Sequence, residues 1–143
     1  MGSIGLDSVT DGVELGFHLC YGDFGAKHAI EPKDAGKCVE ISNALAKAVA
    51  HPIAYIHMPV PVARADEAFF KPLAGLKLAP STKLYLGAVH GDGAEATKKR
   101  IEAASKYAAN FGIATECGMA RQRTPGHVQK LLDVHAACAH EPA

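Results

Sequence analysis

Four short apolar segments alternate with longer stretches of helical spacing, and this alternation constrains the fold more than any other feature of the sequence. The apolar segments are residues 13–20, 53–58, 83–90 and 113–117. Strands that alternate with helices form a parallel sheet joined by right-handed crossovers. A length of 143 residues fits one domain. The sequence therefore predicts an α/β fold of the (βα)4 type, with a single domain over residues 1–143.

The stretches between the strands carry apolar residues three and four positions apart, which is the spacing of amphipathic helices. The expected helices cover residues 32–51, residues 65–76 with a break at Pro72, residues 92–112 with Asp92 as the N-cap, and a last helix from Pro125 onward.

Four βα units amount to half of a closed (β/α)8 barrel, which takes about 250 residues. A flat sheet with helices on both faces is the alternative, and it needs only one chain. If the half-barrel is correct, we expect a homodimer in which two copies complete or imitate the barrel. Otherwise two edge strands stay unpaired, and the inward side chains at Ile53, Tyr55, Leu84 and Leu86 stay partly uncovered.

Composition excludes several classes of protein. Fifteen Lys and Arg residues balance fifteen Asp and Glu residues, so the chain lacks the positive field of a nucleic-acid-binding protein. No stretch approaches the ~20 apolar residues that span a bilayer, and residues 1–7 do not start a secretion signal. The four cysteines show no repeated spacing that would indicate disulfides. We therefore expect a cytoplasmic protein whose cysteines are thiols or metal ligands.

Each strand segment ends in side chains that can bind a metal ion or transfer a proton. The segments end in His18 and Cys20, in His57, in His90, and in Glu116 and Cys117. Active sites of parallel α/β proteins form beyond the carboxyl ends of the strands. Because side chains alternate between the faces of a strand, His18 and Cys20 share a face, as do Tyr55 and His57. Thr115 and Cys117 share a face in the same way, and Glu116 points away from it. Imidazole and thiolate groups suit Zn²⁺, and three protein ligands with one open position are typical of catalytic zinc.

Other residues near the strand ends are candidates for substrate binding. The expected set is Tyr55, Arg64, Thr115, Glu116 and Arg121. The arginines in such loops bind anionic groups, although Arg64, Arg121 and Arg123 equally fit solvated loop residues. Cys38 and Cys138 lie on apolar helix faces and are expected to be core thiols. The remaining histidines are expected at the surface or at element edges: His28, His51, His127, His135 and His140.

The strand-end motifs resemble a known family. His18-Leu19-Cys20-Tyr21, the strand-ending His57, His90 and Glu116-Cys117-Gly118 are similar, in order, to the C-terminal half of the catalytic barrel of cobalamin-independent methionine synthase. Residues 57–61 and 114–118 are closer still to less characterised relatives of that family. The resemblance covers nearly the whole chain, and it favours the half-barrel over the flat sheet.

The resemblance implies a site as well as a fold. In the family, a zinc ion bound by a His-x-Cys pair, a glutamate and a second cysteine activates a thiol for methyl transfer. The matching positions here are His18, Cys20 and Cys117, and His90 matches the family's catalytic histidine. His57 stands where the family has its glutamate ligand, so it becomes the expected fourth ligand and makes the site less negative.

Three functions are compatible with these features. The first is a zinc enzyme that activates a thiol or another soft nucleophile for alkyl transfer to or from a small molecule, with His90 as the general acid/base. The second is a lyase, isomerase or cyclase that uses the strand-end histidines with or without metal. The third is a non-enzymatic domain that binds a small molecule or a partner chain.

Overall fold

A parallel sheet with helices in the crossovers forms the framework of the protein, as described by a computed structural model for residues 8–139. The strands are β1 (Leu15–His18), β2 (Ile53–Pro59), β3 (Lys83–Val89) and β4 (Gly112–Thr115), and the helices are α1 (Gly36–Ala48), α2 (Glu67–Phe70), α3 (Ala94–Ser105) and α4 (Pro125–Ala139). A 3-10 helix, Lys71–Gly75, continues directly from α2. The expectations for residues 1–7 and for His140 lie outside the described residues.

The strand order in the sheet is β1-β2-β3-β4, and each strand is parallel to its neighbours. Right-handed crossovers between successive neighbouring strands place all the helices on one face of a sheet. The arrangement agrees with the expected (βα)4 unit and differs from a flat sheet covered on both faces. Within residues 8–139, no helix has both the length and the apolar character that crossing a bilayer requires.

The helix-covered face holds the hydrophobic core. Ile56 and Met58 of β2 and Leu84 and Leu86 of β3 are buried there. They pack with apolar residues of the helices and of the segment 69–73, which are Cys38, Val39, Phe69, Phe70, Leu73, Ala103 and Ala104. Cys38 and Cys138 are both buried, so the expectation that they are core thiols is confirmed.

The opposite face of the sheet carries small and aromatic side chains. Tyr55 and Tyr85 meet edge to face, with ring centroids 6.1 Å apart. A Cβ atom added at Gly16 would overlap the Tyr55 ring, and one added at Gly112 would overlap the Tyr85 ring. Each tyrosine therefore lies across a glycine of the neighbouring strand rather than standing away from the sheet.

Two sequence expectations are corrected by the fold. Leu84 and Leu86 belong to the helix-covered core rather than to an uncovered inner face, because they alternate with Tyr85 along β3. Ile53, the first residue of β2, is also buried in the core cluster. The N-cap of α3 is Gly93, not Asp92, because the Asp92 carboxylate instead accepts hydrogen bonds from Arg100. The break at Pro72 is confirmed, since α2 ends at Phe70 and the 3-10 helix that follows contains Pro72 in its first turn.

Candidate metal centre

Three sulfur and nitrogen donors converge at the carboxyl end of the sheet. Cys20 Sγ lies 3.3 Å from Cys117 Sγ, and His18 Nε2 lies 3.3 Å from the same sulfur. One ligand atom from each of the three residues falls within 4.8 Å of the other two. The prediction that His18, Cys20 and Cys117 lie close enough together to hold a metal ion is confirmed.

The three donors come from opposite edges of the sheet. His18 ends β1, Cys20 follows it in the next loop, and Cys117 lies in the loop after β4. The backbone N–H of Gly22 donates a hydrogen bond to Cys20 Sγ over 3.3 Å. This backbone contact holds the sulfur at the start of its loop.

His57 lies behind His18 rather than among the three donors. The two rings lie side by side in nearly the same orientation, with centroids 4.8 Å apart and planes 11° from parallel. His57 Nδ1 is 2.7 Å from His18 Nδ1, on the far side of the His18 ring from the nitrogen that faces Cys117. In this geometry His57 is a hydrogen-bond partner of His18, whereas the sequence predicted a fourth ligand.

Burial shifts the titration of two groups in the centre. Burial first, and the neighbouring His18 second, together lower the pKa of His57 to about 4. Burial, followed by the hydrogen bond with Cys20, raises the pKa of Cys117 to about 11. Neutral His57 therefore suits a hydrogen bond with a ligating histidine, and a metal ion that bound Cys117 at neutral pH would displace its proton.

A cavity of about 580 Å³ adjoins the donors. It is lined by His18, Tyr55, His57, Tyr85, Ala114, Thr115, Glu116, Cys117, Gly118 and Met119. Three of the residues expected to bind substrate, Tyr55, Thr115 and Glu116, lie in this lining. A small molecule in the cavity would contact aromatic rings and the edge of the candidate metal centre together.

The Glu116 carboxylate is fully engaged by neighbouring side chains. Oε2 accepts from His90 Nδ1 over 3.0 Å, and Oε1 accepts from both Arg123 Nε and His127 Nε2 over 3.0 Å. The pKa of Glu116 is lowered to about 2, mainly by the hydrogen bond from His90. Its charge is thus committed to these partners rather than to a metal ion.

His90 is buried and bound through both ring nitrogens. Nε2 lies 2.7 Å from the carbonyl oxygen of Val60, and Nδ1 contacts Glu116. The ring does not line the cavity. The structure therefore places the expected catalytic histidine beneath the site, as a partner of Glu116.

The expected arginine sites are separated from the cavity. Arg64 donates Nε and another guanidinium nitrogen to the Asp66 carboxylate over 2.7 and 2.8 Å, and its guanidinium lies over the Phe69 ring. Arg121 is exposed and lies outside the cavity lining. Neither arginine meets the donor group in this structure.

Asp23 is the functional candidate that the sequence analysis missed. It lies in the loop after Cys20, and its carboxylate accepts from Arg123 over 2.8 Å. An aspartate in a glycine-containing loop is common, and its partner is 100 residues away in the chain. No local signal could therefore have identified this contact.

The donor set fits a zinc ion. Two thiols and one imidazole within 4.8 Å are borderline-soft ligands of the kind that Zn²⁺ prefers, and the cavity leaves one side of the group open. Comparison with protein-family models, with curated proteins and with solved structures finds no match to this chain. The argument for function therefore depends on the site itself.

Proposed function

We propose that this protein is a zinc-dependent enzyme that activates a thiol, or another soft nucleophile, for alkyl transfer involving a small molecule. The observation that carries the proposal is the convergence of His18, Cys20 and Cys117 beside an open cavity. A bound zinc ion would lower the pKa of a thiol that ligates it, and so supply a thiolate at neutral pH.

The chain's own residues bind and orient the reactants. His18, Cys20 and Cys117 hold the metal ion, and His57 fixes the His18 ring through Nδ1. Tyr55, Tyr85 and Thr115 contact the substrate in the cavity. The cavity lining contains no lysine or arginine. This absence of positive charge favours a substrate whose alkyl-bearing part is uncharged or cationic.

Acid/base chemistry by the three strand-end histidines has less support. His90 uses both nitrogens for Val60 and Glu116 and does not line the cavity. His18 and His57 do line the cavity, but their Nδ1 atoms contact each other, His18 Nε2 faces Cys117 and His57 Nε2 is buried. None of the three therefore offers the exposed ring nitrogen that a lyase or isomerase would need to reach its substrate.

The proposal extends to assembly and location. We propose a homodimer that supplies the missing wall of the cavity, because Tyr55 and the cavity lie on a sheet face that the helices do not cover. The free state of Cys20 and Cys117 suits a reducing compartment, so we place the protein in the cytoplasm.

Metal binding tests the proposed function directly. Protein purified under reducing conditions without chelator should contain about one zinc per chain, measured by plasma mass spectrometry. Cobalt substitution should give the intense near-ultraviolet bands of thiolate ligation. Cys20→Ser and Cys117→Ser should each lose most of the metal, since each removes one donor.

Cys138→Ser is the matched control, because Cys138 is a buried thiol away from the three donors. It should retain wild-type zinc content. Wild-type protein with less than a tenth of an equivalent of any transition metal, before and after zinc is added, would refute the metal site. Zinc-loaded protein that transfers no methyl group to thiols from any of a panel of methyl donors would support the metal site and refute the proposed alkyl transfer.

A further inference from the structure

The two thiols of the metal centre belong to loops that begin at strands far apart in the sheet. Cys20 follows β1 and Cys117 follows β4, and two other strands lie between them. Neighbouring strands are about 4.8 Å apart, so three strand spacings separate these edges by about 14 Å. No ladder of backbone hydrogen bonds joins β1 to β4, and the loops must therefore be held together by side chains.

Arg123 makes that connection. Its Nη1 donates to Asp23 Oδ2 over 2.8 Å, and Nε donates to Glu116 Oε1 over 3.0 Å. Asp23 lies three residues after Cys20, and Glu116 directly precedes Cys117. One guanidinium thus bridges the two loops that carry the thiols.

The bridge is buried, which makes its geometry specific. The side chains of Arg123 and Asp23 are only 7% and 6% exposed. Water competes little for such a pair, and the loss of one partner leaves the other charge unpaired in a poorly solvated position. Nη1 of Arg123 also donates to the carbonyl oxygens of Gly118 and Arg121 over 3.1 and 3.0 Å, and so fixes the loop after Cys117.

Gly118 shows how closely the two loops pack. Its φ of +71° is a backbone conformation that glycine adopts readily. A Cβ atom at this position would overlap Asp23 Oδ2 and would lie 3.0 Å from Arg123 Nη1. The residue after Cys117 therefore lies directly against the ion pair.

We propose that Arg123 is a positioning residue of the metal centre, which ties Asp23 to Glu116 and thereby keeps the thiols of Cys20 and Cys117 close enough to bind one metal ion. This inference rests on the proposed function for its biological meaning. Its structural content, the separation of the two thiols, can also be measured in metal-free protein.

The first measurement is zinc affinity, by competition with a chromophoric chelator, for the wild type, Arg123→Gln and Arg123→Lys. Partners of metal ligands typically contribute about 10–100-fold to affinity, and we expect Arg123→Gln to bind one zinc at least about tenfold more weakly. Arg123→Lys keeps the charge but lacks the fork that reaches two carboxylates, so it should also bind weakly.

The second measurement is the equilibrium between the Cys20 and Cys117 thiols and glutathione in metal-free protein, with the disulfide identified by peptide mass spectrometry. Two thiols held close together favour an internal disulfide, with oxidised glutathione taking up the two electrons as two reduced molecules. Arg123→Gln should lower the equilibrium constant for this disulfide several-fold.

Asp23→Asn is a second, smaller change that carries the test if Arg123→Gln does not fold by circular dichroism. Its matched control is Asp92→Asn. Asp92 lies in the loop after β3, and this change removes the carboxylate that pairs with another buried arginine, Arg100 of α3. Asp23→Asn should weaken zinc binding and disfavour the disulfide, and Asp92→Asn should alter neither.

The outcomes separate the two proposals. Wild-type zinc affinity and wild-type disulfide equilibrium in the Arg123 or Asp23 variants would overturn the positioning role. Retention of affinity by Arg123→Lys would also overturn it, because charge alone would then suffice. Wild-type protein that binds no zinc, with variants that still lose the disulfide, would reject the proposed function and support the positioning role.

Discussion

The His18 ring has two nitrogens with different partners, and this difference defines the role of His57. If a metal ion binds His18 at Nε2, the ring proton stays on Nδ1. That N–H then donates to His57 Nδ1 over 2.7 Å. The lowered pKa of His57, about 4, keeps that acceptor nitrogen unprotonated at neutral pH. His57 thus orients a ligand in this geometry.

Replacement of His57 tests this assignment. His57→Phe keeps a planar ring at this position but removes the acceptor, so zinc affinity should fall about 10–100-fold while one ion is still bound. X-ray absorption at the zinc edge should report one imidazole and two sulfur ligands in the wild type. Two imidazole ligands there would restore His57 as the fourth ligand that the sequence predicts.

Glu116 should make stability depend on pH in the acidic range. Its pKa is held at about 2 in the folded protein, mainly by the hydrogen bond from His90, whereas an unfolded glutamate titrates near ~4.3. The contribution is therefore complete above the unfolded value and is lost as pH falls toward about 2. We expect a loss of about 3 kcal/mol over this range.

The measurement is chemical denaturation of reduced, metal-free protein between pH 2 and pH 6, for the wild type and Glu116→Gln. At pH 6, Glu116→Gln should have a lower free energy of unfolding than the wild type. Its free energy of unfolding should also change less between pH 6 and pH 2. Equal slopes for the two proteins would show that other carboxylates produce the effect. Glu40→Gln, an exposed carboxylate on α1, is the control.

Helix α3 is fastened to the sheet by a buried arginine. Arg100 donates to the carbonyl oxygens of Val62 and Ala88 and to the Asp92 carboxylate. It is one of the largest fully buried side chains among the described residues. This contact explains why Asp92 does not cap the helix, since its carboxylate is already bound.

Arg100→Met should destabilise the fold without altering the metal centre. The carbonyl groups and Asp92 would lose their donors, and we expect the free energy of unfolding to fall by about 3 kcal/mol. Lys99→Met, on the exposed side of the same helix, should change it by less than about 0.5 kcal/mol. Denaturation curves and zinc titrations of both variants check this, and a small effect in Arg100→Met would contradict it.

Periodicity predicted most of the elements, because it records which side chains face the core. The four strands and the break at Pro72 followed from apolar runs and from proline geometry. Period-two alternation also brought His18 and Cys20 to one face. These are local properties, and each is decided by residues close together in the chain.

The contacts that complete the site are not local. Asp23 meets Arg123 across 100 residues, and His57 meets His18 across 39. Whether a strand-end histidine ligates a metal, orients a ligand or lies beneath the site depends on side-chain packing between strands. This explains why the sequence placed His57 and His90 in the active site, whereas the structure gives both nitrogens of His90 other partners.

The helices cover one face of the sheet and leave the other available to a partner. The open face carries Tyr55, which is 41% exposed, together with Tyr85 and the cavity beside the donors. Exposed aromatic side chains on a sheet face are typical of association surfaces. The candidate site itself lies at the rim of this face, so a partner there would enclose the cavity.

We expect the partner to be a second copy, packed about a two-fold axis so that each protomer covers the open face of the other. Light scattering at micromolar concentration should give twice the 15.0 kDa of one chain. Tyr55→Lys places a charge on the covered face and should shift the protein toward monomer. Ile41→Lys, an exposed apolar position on α1, should leave the mass unchanged. A wild-type mass close to one chain would contradict the dimer, and the cavity would then be open to solvent in the working protein.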